Sequence, residues 1–464
     1  MNKILSIALV GILILSGIGV GASFVQKSSL QQSFLIKEQN DEQEIFNLKD
    51  TIYKKITEER FNLRDRFFNL KMSILIRLVK FPSLSTCVIK GNEVIWSKGY
   101  GFYDLGNKKP ATENTIYNIG QITKSITGTA LMQLYEQGLF GLDEDVNNYL
   151  PFSLRNPNFP DEPITFRMLL SHSSSLKDDI PINEAYGRSR SYGWVNFSGD
   201  PPFSFFPYPW LEEKLIPGGK HYNPKHWSNI YEPGEYSWYA HINFAIIAYL
   251  IERISGEIFV EFCKENIFLP LEMYNTSFNL TELDIDNVAI PYYYHKEIGE
   301  YLQIDELSID GEIHPSIYWR ILNYPAGGLY STVSDLSHFL IAHVNDGVYN
   351  GVRILKKETV DEMHKIQPPG NFNPMIQAYY GLAWLFKEDP LIFNITLMGH
   401  YGLSIGIVGI MYHIPTDDVR VIFFANGDGF TGITMFVNLI EINLFKKGGL
   451  NLFSYIDFKK LWGG

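Results

Sequence analysis

With 464 residues, 45% of them hydrophobic, the chain is long and apolar enough to form one large domain with a substantial core. Its 51 acidic and 39 basic side chains give a net charge of −12. This acidic balance, with no basic tract in the sequence, excludes nucleic acid as an expected partner.

The N-terminal 25 residues have the pattern of an export segment. Lys3 precedes about twenty apolar or small residues, which fit either a secretory signal peptide or an uncleaved membrane anchor. We therefore expect an exported, extracytoplasmic protein that is secreted or held at the membrane by this segment. Residues 26–43 are polar and rich in Gln and Ser, which is typical of a linker.

The sequence offers little for redox or metal chemistry. Cys87 and Cys263 are far apart in the chain, and we expect two buried free thiols rather than a disulfide framework. The histidines are scattered, and no cluster of His, Asp or Glu has the spacing of metal ligands. No metal and no cofactor are expected.

The first predicted elements are helices followed by a hairpin. Residues 44–77 place apolar side chains at helical intervals, which predicts one or two helices. The period then changes to that of strands at residues 84–89 and 94–96, and residues 90–93 between them, Lys-Gly-Asn-Glu, have turn chemistry. These residues predict a β-hairpin.

Helical spacing returns after Gly120, where apolar residues recur at positions 122, 126, 130 and 134. The other predicted elements are the helices 242–254, 259–267, 333–345 and 431–445 and the strands 380–384, 404–411 and 419–426. Strands at both ends of the chain with helices between them indicate an α+β fold.

Three short motifs occur in a particular order. Residues 121–124 read Gln-Ile-Thr-Lys at the start of a helix, residues 239–241 read Tyr-Ala-His, and residues 400–402 read His-Tyr-Gly. Their order and contexts resemble the Ser-x-x-Lys, Tyr-x-Asn and His-x-Gly motifs of the serine β-lactamase and penicillin-binding protein family, which includes D-alanyl-D-alanine carboxypeptidase-like proteins. Further matches at residues 172–176 and 325–332 extend the resemblance over roughly residues 82–445.

The resemblance implies a fold and a domain organisation. Residues 44–464 would form one β-lactamase/transpeptidase-like domain of the α+β class, with an antiparallel sheet flanked by helices. The sheet lobe would come from about residues 44–115 and 320–464. An all-helical lobe, about residues 116–319, would be inserted between them, with the cleft at the junction.

The resemblance also implies a set of site residues. Lys124 and Tyr239 match positions that act in catalysis in the family. His400 and Gly402 match the wall that binds substrate. These four positions keep the family pattern.

Two positions depart from that pattern. Gln121 stands where the family has its nucleophilic serine, and His241 stands where it has asparagine. A carboxamide oxygen does not ionise near neutral pH and is a poor nucleophile, so the usual acyl-enzyme is not expected. The favoured interpretation is a non-catalytic family member that keeps the cleft and binds a small-molecule or peptide ligand, or a partner, without covalent turnover.

The alternative is an active hydrolase of a peptide, ester or lactam, so the sequence leaves enzymatic activity undecided. The nucleophile would then be displaced to Ser125 or Tyr239, or His241 with Lys124 would activate a water. Residues 174–177 also fit Ser-x-x-Lys, but this serine ends a predicted helix and lacks the apolar helix that should follow. We expect that match to be fortuitous.

Overall fold

The chain divides into two compact units, Met1–Asn69 and Leu70–Gly464. The computed structural model describes residues 63–178, 194–196, 208–303, 319–321, 323–373, 377–388, 395–404, 406–427 and 434–450. The described residues of the first unit, 63–69, are helical. The expected export segment, residues 1–25, and the linker, residues 26–43, lie outside the described residues. None of the helices in the described ranges is long and apolar enough to span a membrane.

Strands occur at both ends of the second unit and in short pairs between them. In chain order the described strands are β1 (Ser83–Lys90), β2 (Glu93–Asp104), β3 (Lys109–Pro110), β4 (Tyr117–Asn118), β5 (Trp194–Asn196), β6 (Tyr292–His295), β7 (Glu300–Gln303), β8 (Trp319–Ile321), β9 (Tyr330–Ser331), β10 (Val348–Tyr349), β11 (Val352–Arg353), β12 (Ala378–Tyr380), β13 (Leu385–Glu388), β14 (Thr396–Ser404), β15 (Ile407–Ile414) and β16 (Val419–Ala425).

The second unit opens with helical residues 70–78. The helices that follow are, in chain order, α1 (Thr123–Glu136), α2 (Phe166–Leu170), α3 (Tyr208–Leu215), α4 (Ile242–Ser255), α5 (Phe259–Cys263), α6 (Val333–Val344), α7 (Lys357–Met363) and α8 (Thr434–Lys447). A 3₁₀ turn, Gly120–Ile122, leads directly into α1.

The main sheet is antiparallel and, among the described residues, has eight strands in the order β12-β13-β14-β15-β16-β1-β2-β3. β1 pairs with β16 on one side and with β2 on the other, so the two ends of the domain meet at the centre of the sheet. Alternate side chains of β1 point to opposite faces. Cys87 lies near Ser337 of α6, whereas Val88 lies against Gly448 just after α8, so helices cover both faces.

α1 is the central helix of the core, which also contains α4. The four apolar positions of its predicted face, Ile122, Ile126, Ala130 and Leu134, are all buried. Most of the other positions of α1 are buried as well. A helix that is buried nearly all round lies inside the domain rather than on its surface, so its first turn is fixed by packing from every side.

The structure confirms several local predictions and corrects two. The hairpin and the helices near 242–254 and 333–345 are confirmed, and both cysteines are buried and free as expected. The predicted strand 380–384 is wrong, and the predicted strand 404–411 is confirmed only at residues 404 and 407–411, because each range contains a chain reversal. Ala383 has φ +64° and Gly406 has φ +68°, and these turns separate β12 from β13 and β14 from β15. Residues typical of strands continue through both turns, so the sequence pattern did not indicate where the chain reverses.

Candidate active site

The turn before α1 brings a half-buried glutamine and a buried lysine to the end of strand β14. Gly120 has φ +54°, a conformation that favours glycine. The Thr123 hydroxyl donates to the Gly120 carbonyl at 2.6 Å and fixes the turn. Gln121 is therefore held at the mouth of the site, and Lys124, one turn later, is fully buried.

The carboxamide of Gln121 makes two hydrogen bonds to the backbone of Leu403 in β14. Its Nε2 donates to the Leu403 carbonyl at 2.8 Å, and its Oε1 accepts from the Leu403 N–H at 2.6 Å. β13 pairs with β14 only over residues 396–399. Among the described strands, none covers this edge of β14 near Leu403, and Gln121 satisfies both backbone groups there.

A close approach of two backbone segments makes this arrangement possible. A Cβ atom at Gly402 would overlap the carbonyl oxygen of Ile119 and crowd the backbone nitrogen of Gln121. β14 can therefore lie against the turn before α1 because residue 402 is glycine.

Gly402→Ala is expected to push β14 away from the turn and to lower the free energy of unfolding by about 1–3 kcal/mol, as overpacking does elsewhere. Chemical denaturation followed by circular dichroism measures this change. Gly106→Ala is the matched control, because a Cβ atom there has the Asp104 carboxylate as its nearest neighbour, at 3.5 Å. Equal stability of the two variants would contradict the close approach.

Lys124 lies in a small polar pocket with aromatic walls. Its Nζ donates to the Ala326 carbonyl at 2.6 Å and is 3.0 Å from Nδ1 of His241. The rings of Tyr239 and Phe244 lie 5.1 and 5.5 Å from Nζ. Burial lowers the pKa of Lys124 well below its usual value, against the opposing effect of Asp178.

His241 connects Lys124 to a carboxylate at the start of α4. Both oxygens of Asp178 accept from the His241 N–H, at 2.8 and 2.9 Å, and Oδ1 also accepts from the Ile242 N–H at 3.4 Å. The other ring nitrogen of His241, Nε2, is 3.8 Å from Asp178 Oδ2. When Nδ1 accepts from Lys124, the ring hydrogen is on Nε2 and faces Asp178. Lys124, His241 and Asp178 thus form a contiguous group, which we call the Lys–His–Asp group.

Asp178 is expected to make the stability of the protein depend on pH. Burial raises its pKa to about 6, and the hydrogen bond from His241 opposes that rise. A carboxyl group with a raised pKa binds more protons in the folded than in the unfolded chain, so its contribution to stability is present below the unfolded pKa near 3.9 and is lost as pH rises toward 6.

Asp178→Asn keeps an acceptor for both backbone N–H groups but cannot titrate. Relative to this variant, the wild-type protein is expected to lose up to about 3 kcal/mol of unfolding free energy between pH 4 and pH 6. Denaturation curves across this range measure the difference. Parallel pH profiles for the two proteins would contradict a raised pKa at Asp178.

Two further histidines line the pocket as neutral groups. His172 is buried, and its Nδ1 accepts from the Ala240 N–H at 3.2 Å, while its ring packs on Tyr239 at 4.6 Å between centroids. His400 is buried, and its Nδ1 donates to the Tyr401 carbonyl at 2.7 Å. Burial, with the nearby positive charge of Lys124, lowers the pKa of both and brings that of His400 to about 3.

The family model described as beta-lactamase matches residues 73–439 of the chain. The chain belongs to the beta-lactamase family. The antiparallel sheet with flanking helices is the β-lactamase/transpeptidase-like fold, as expected from the motifs.

Relatives of known sequence and structure agree with this assignment. The chain is 24% identical over 313 residues both to protein flp of Staphylococcus aureus and to penicillin-binding protein 4* of Bacillus subtilis, covering 68% and 65% of this chain and 54% and 59% of those proteins. The chain thus spans little more than half the length of these relatives.

Among solved structures, the octameric penicillin-binding protein homologue from Pyrococcus abyssi is similar, with 26% identity, a TM-score of 0.63 and coverage of 84% of this chain and 79% of that one. D-amino acid amidase from Ochrobactrum anthropi SV3, at 20% identity, has the same fold, with a TM-score of 0.60 and coverage of 82% and 99%.

The fold of this beta-lactamase family member brings most of the predicted site residues together. Gln121, Lys124, Tyr239 and His241 lie around one pocket, and Gly402 lies against its entrance turn. His400 is near enough to Lys124 for the charges of the two groups to interact. The described residues contain no group of three His, Cys, Asp or Glu side chains arranged to hold a metal ion.

The two serines considered as displaced nucleophiles lie elsewhere. Ser125 is fully buried and donates to the Ala383 carbonyl at 3.2 Å. Ser174 is buried and donates to Asn243 Oδ1 at 2.7 Å. A hydroxyl that is buried and already donates to an internal acceptor is not available to attack a bound substrate.

Sequence reasoning missed Asp178 and the backbone groups of Leu403 and Ala326. Asp178 lies 63 residues before His241 and belongs to none of the motifs. The other two contribute main-chain atoms, which every residue type carries. In the sequence, Asp178 lies just after the motif match at residues 172–176, and this was the one indication that it could lie near the site.

Proposed function

We propose that the protein is a non-catalytic member of the beta-lactamase family that binds a small-molecule or peptide ligand in its cleft without forming a covalent intermediate. One observation carries this proposal: the side chain of Gln121, which we assign to the position of the family nucleophile, is held by both of its polar ends to Leu403.

This contact opposes acyl transfer in two ways. The carboxamide has no nucleophilic atom near neutral pH. Its oxygen also takes the Leu403 N–H, a donor of the kind that would otherwise stabilise the oxyanion of a reacting carbonyl. A substrate carbonyl would have to displace Gln121 before it could use that donor.

The pocket keeps groups suited to binding. Lys124 lies one helical turn after Gln121, and the rings of Tyr239 and Phe244 lie 5.1 and 5.5 Å from its Nζ, so aromatic rings surround a polar group. Such a pocket suits a compact ligand with a few hydrogen-bonding groups. The names of the relatives make penicillins the first probes to test. Export through the N-terminal segment is part of the same proposal and would place this ligand outside the cytoplasm.

The purified full chain tests the proposal when it is incubated with a fluorophosphonate or a reporter penicillin and assayed with a chromogenic ester. We expect no covalent label and no ester turnover above the rate of a Lys124→Met variant. Label on Ser125 or Tyr239, or turnover that Lys124→Met abolishes, would overturn the proposal.

The second candidate is hydrolysis by an activated water, and the Lys–His–Asp group favours it. A lysine whose pKa is lowered by burial can be a neutral amine that accepts a proton, and His241 joins it to Asp178. This candidate predicts ester turnover without any label. Turnover lost in both Lys124→Met and His241→Phe, with no adduct by mass spectrometry, would establish it in place of the first.

A further inference from the structure

The helical residues 70–78 that open the second unit carry an exposed apolar stripe opposite their buried face. Met72, Leu75 and Val79 are fully buried. On the other side, Leu70, Ile74 and Leu78 are 58%, 40% and 41% exposed. An apolar stripe at this spacing on a helix whose other face already packs in the core requires its own explanation.

Basic side chains border this stripe. At about 100° per residue, Arg77 falls on one flank of the stripe and Lys71 on the other. Arg77 is exposed, and so is Lys80, which follows the end of the helix and has its Nζ 4.7 Å from the centre of the Tyr294 ring. The segment 63–80 contains five basic residues and one acidic residue in a chain with a net charge of −12. We call the exposed side chains Leu70, Ile74, Arg77, Leu78 and Lys80 the basic–apolar face.

The surface next to this face is basic as well. Burial and then the charge of Lys446, near the end of α8, lower the pKa of Lys71, so these two ammonium groups are neighbours. Lys447 lies over the ring of Trp96 at 4.2 Å.

We propose that the basic–apolar face docks on a membrane surface that contains anionic lipids. Apolar side chains flanked by Lys and Arg are the composition of helices that lie in the headgroup layer. A second copy of the chain fits the charges less well, because a two-fold contact would set the same basic face against itself. The apolar N-terminal segment, some 45 residues upstream in the sequence, would deliver the chain to the same surface.

A local probe separates docking of this face from attachment by the N-terminal segment. Ile74→Cys can be labelled with an environment-sensitive dye, since Cys87 and Cys263 are buried. Full-length protein is mixed with vesicles of phosphatidylcholine alone or of phosphatidylcholine with phosphatidylglycerol. We expect a blue shift of the dye with the anionic vesicles, and its reversal by salt.

Two variants and their matched controls test the residues. Arg77→Glu with Lys80→Glu is expected to weaken binding to anionic vesicles at least about 25-fold, since each basic side chain near an anionic surface strengthens binding about fivefold. The triple change Leu70→Ser, Ile74→Ser and Leu78→Ser is expected to weaken it at least about tenfold.

The controls change other exposed side chains of the second unit. They are Lys108→Glu with Lys225→Glu, and Ile230→Ser with Tyr274→Ser and Ile298→Ser; each set is expected to leave binding unchanged. Circular dichroism establishes that all variants fold.

Three results would overturn the proposal. Equal binding by all variants, without dependence on lipid charge, would show that the N-terminal segment acts alone. A dye already shielded without lipid in a dimeric protein would mean that a second copy covers the face. The same shielding in a monomer would mean that the chain covers the face itself. None of these outcomes bears on the proposed ligand-binding role of the cleft, which is tested separately.

Discussion

Gln121→Ser is expected to gain a covalent label from a fluorophosphonate or a reporter penicillin that the wild-type protein does not acquire. The change supplies a hydroxyl at the start of α1, one helical turn before the buried Lys124. It also removes the carboxamide that occupies the Leu403 N–H. Nucleophile, proton acceptor and oxyanion donor would then be present together, which is what nucleophilic catalysis requires. Intact-protein mass spectrometry over time measures the gain.

Two controls separate the contributions to this gain. Gln121→Ala frees Leu403 without adding a nucleophile, and it is expected to stay unlabelled. Adding Lys124→Met to Gln121→Ser is expected to slow labelling by about 10²–10⁴-fold, the usual contribution of a general base. Labelling of Gln121→Ala at the same rate as Gln121→Ser would mean that the attacking group lies elsewhere in the pocket.

Lys124→Met is expected to change how stability responds to alkaline pH. Lys124 is protonated in the unfolded chain below about pH 10.5, but burial lowers its pKa well below that value in the folded protein. The unfolded state therefore binds more protons between the two pKa values, and wild-type stability rises with pH across that window by up to about 1.4 kcal/mol per pH unit. Below about pH 10.5 the unfolded chain keeps a proton on Lys124 that the folded protein has lost, and this difference lowers the stability of the folded state. The loss disappears at higher pH, where the amine is neutral in both states.

Denaturation curves from neutral pH upward measure this effect as the difference between wild type and Lys124→Met. We expect the wild-type protein to gain stability relative to the variant as pH rises. Lys225→Met, which removes an exposed lysine, controls for the loss of a lysine as such and is expected to follow the wild-type profile. A constant difference between wild type and Lys124→Met at all pH values would contradict a lowered pKa for the buried amine.

The sequence predicted those parts of the fold that depend on local periodicity. The face of α1 could be read from four apolar positions, and the hairpin of β1 and β2 from a change of period around a turn. The reversals at Ala383 and Gly406 were missed because strand-like composition continues through them. Each of these two turns uses one residue with positive φ, and the pattern of the neighbouring residues carries little information about it.

The site was predictable where side chains carry the chemistry and not where the backbone does. Gln121, Lys124 and His241 could be identified by residue type in ordered motifs. Leu403 lies 282 residues from Gln121 and contributes its N–H and carbonyl, so no residue type marks it. Asp178 accepts a hydrogen bond from the His241 N–H at the start of α4, 63 residues away in the sequence. Contacts of this range are set by tertiary packing and leave no periodic signal in the sequence.

The contact between Gln121 and Leu403 is the basis of the functional proposal, and hydrogen exchange at the Leu403 amide tests it most directly. The N–H of Leu403 donates at 2.6 Å to Gln121, on a part of β14 that β13 does not cover. Residue-resolved exchange in wild type and in Gln121→Ala compares the same amide with and without its acceptor. We predict that exchange at Leu403 accelerates about tenfold in the variant, the equivalent of one hydrogen bond of about 1.4 kcal/mol, while the amide of Leu397, which lies where β13 is paired with β14, is unchanged. Equal exchange at Leu403 in the two proteins would contradict the account.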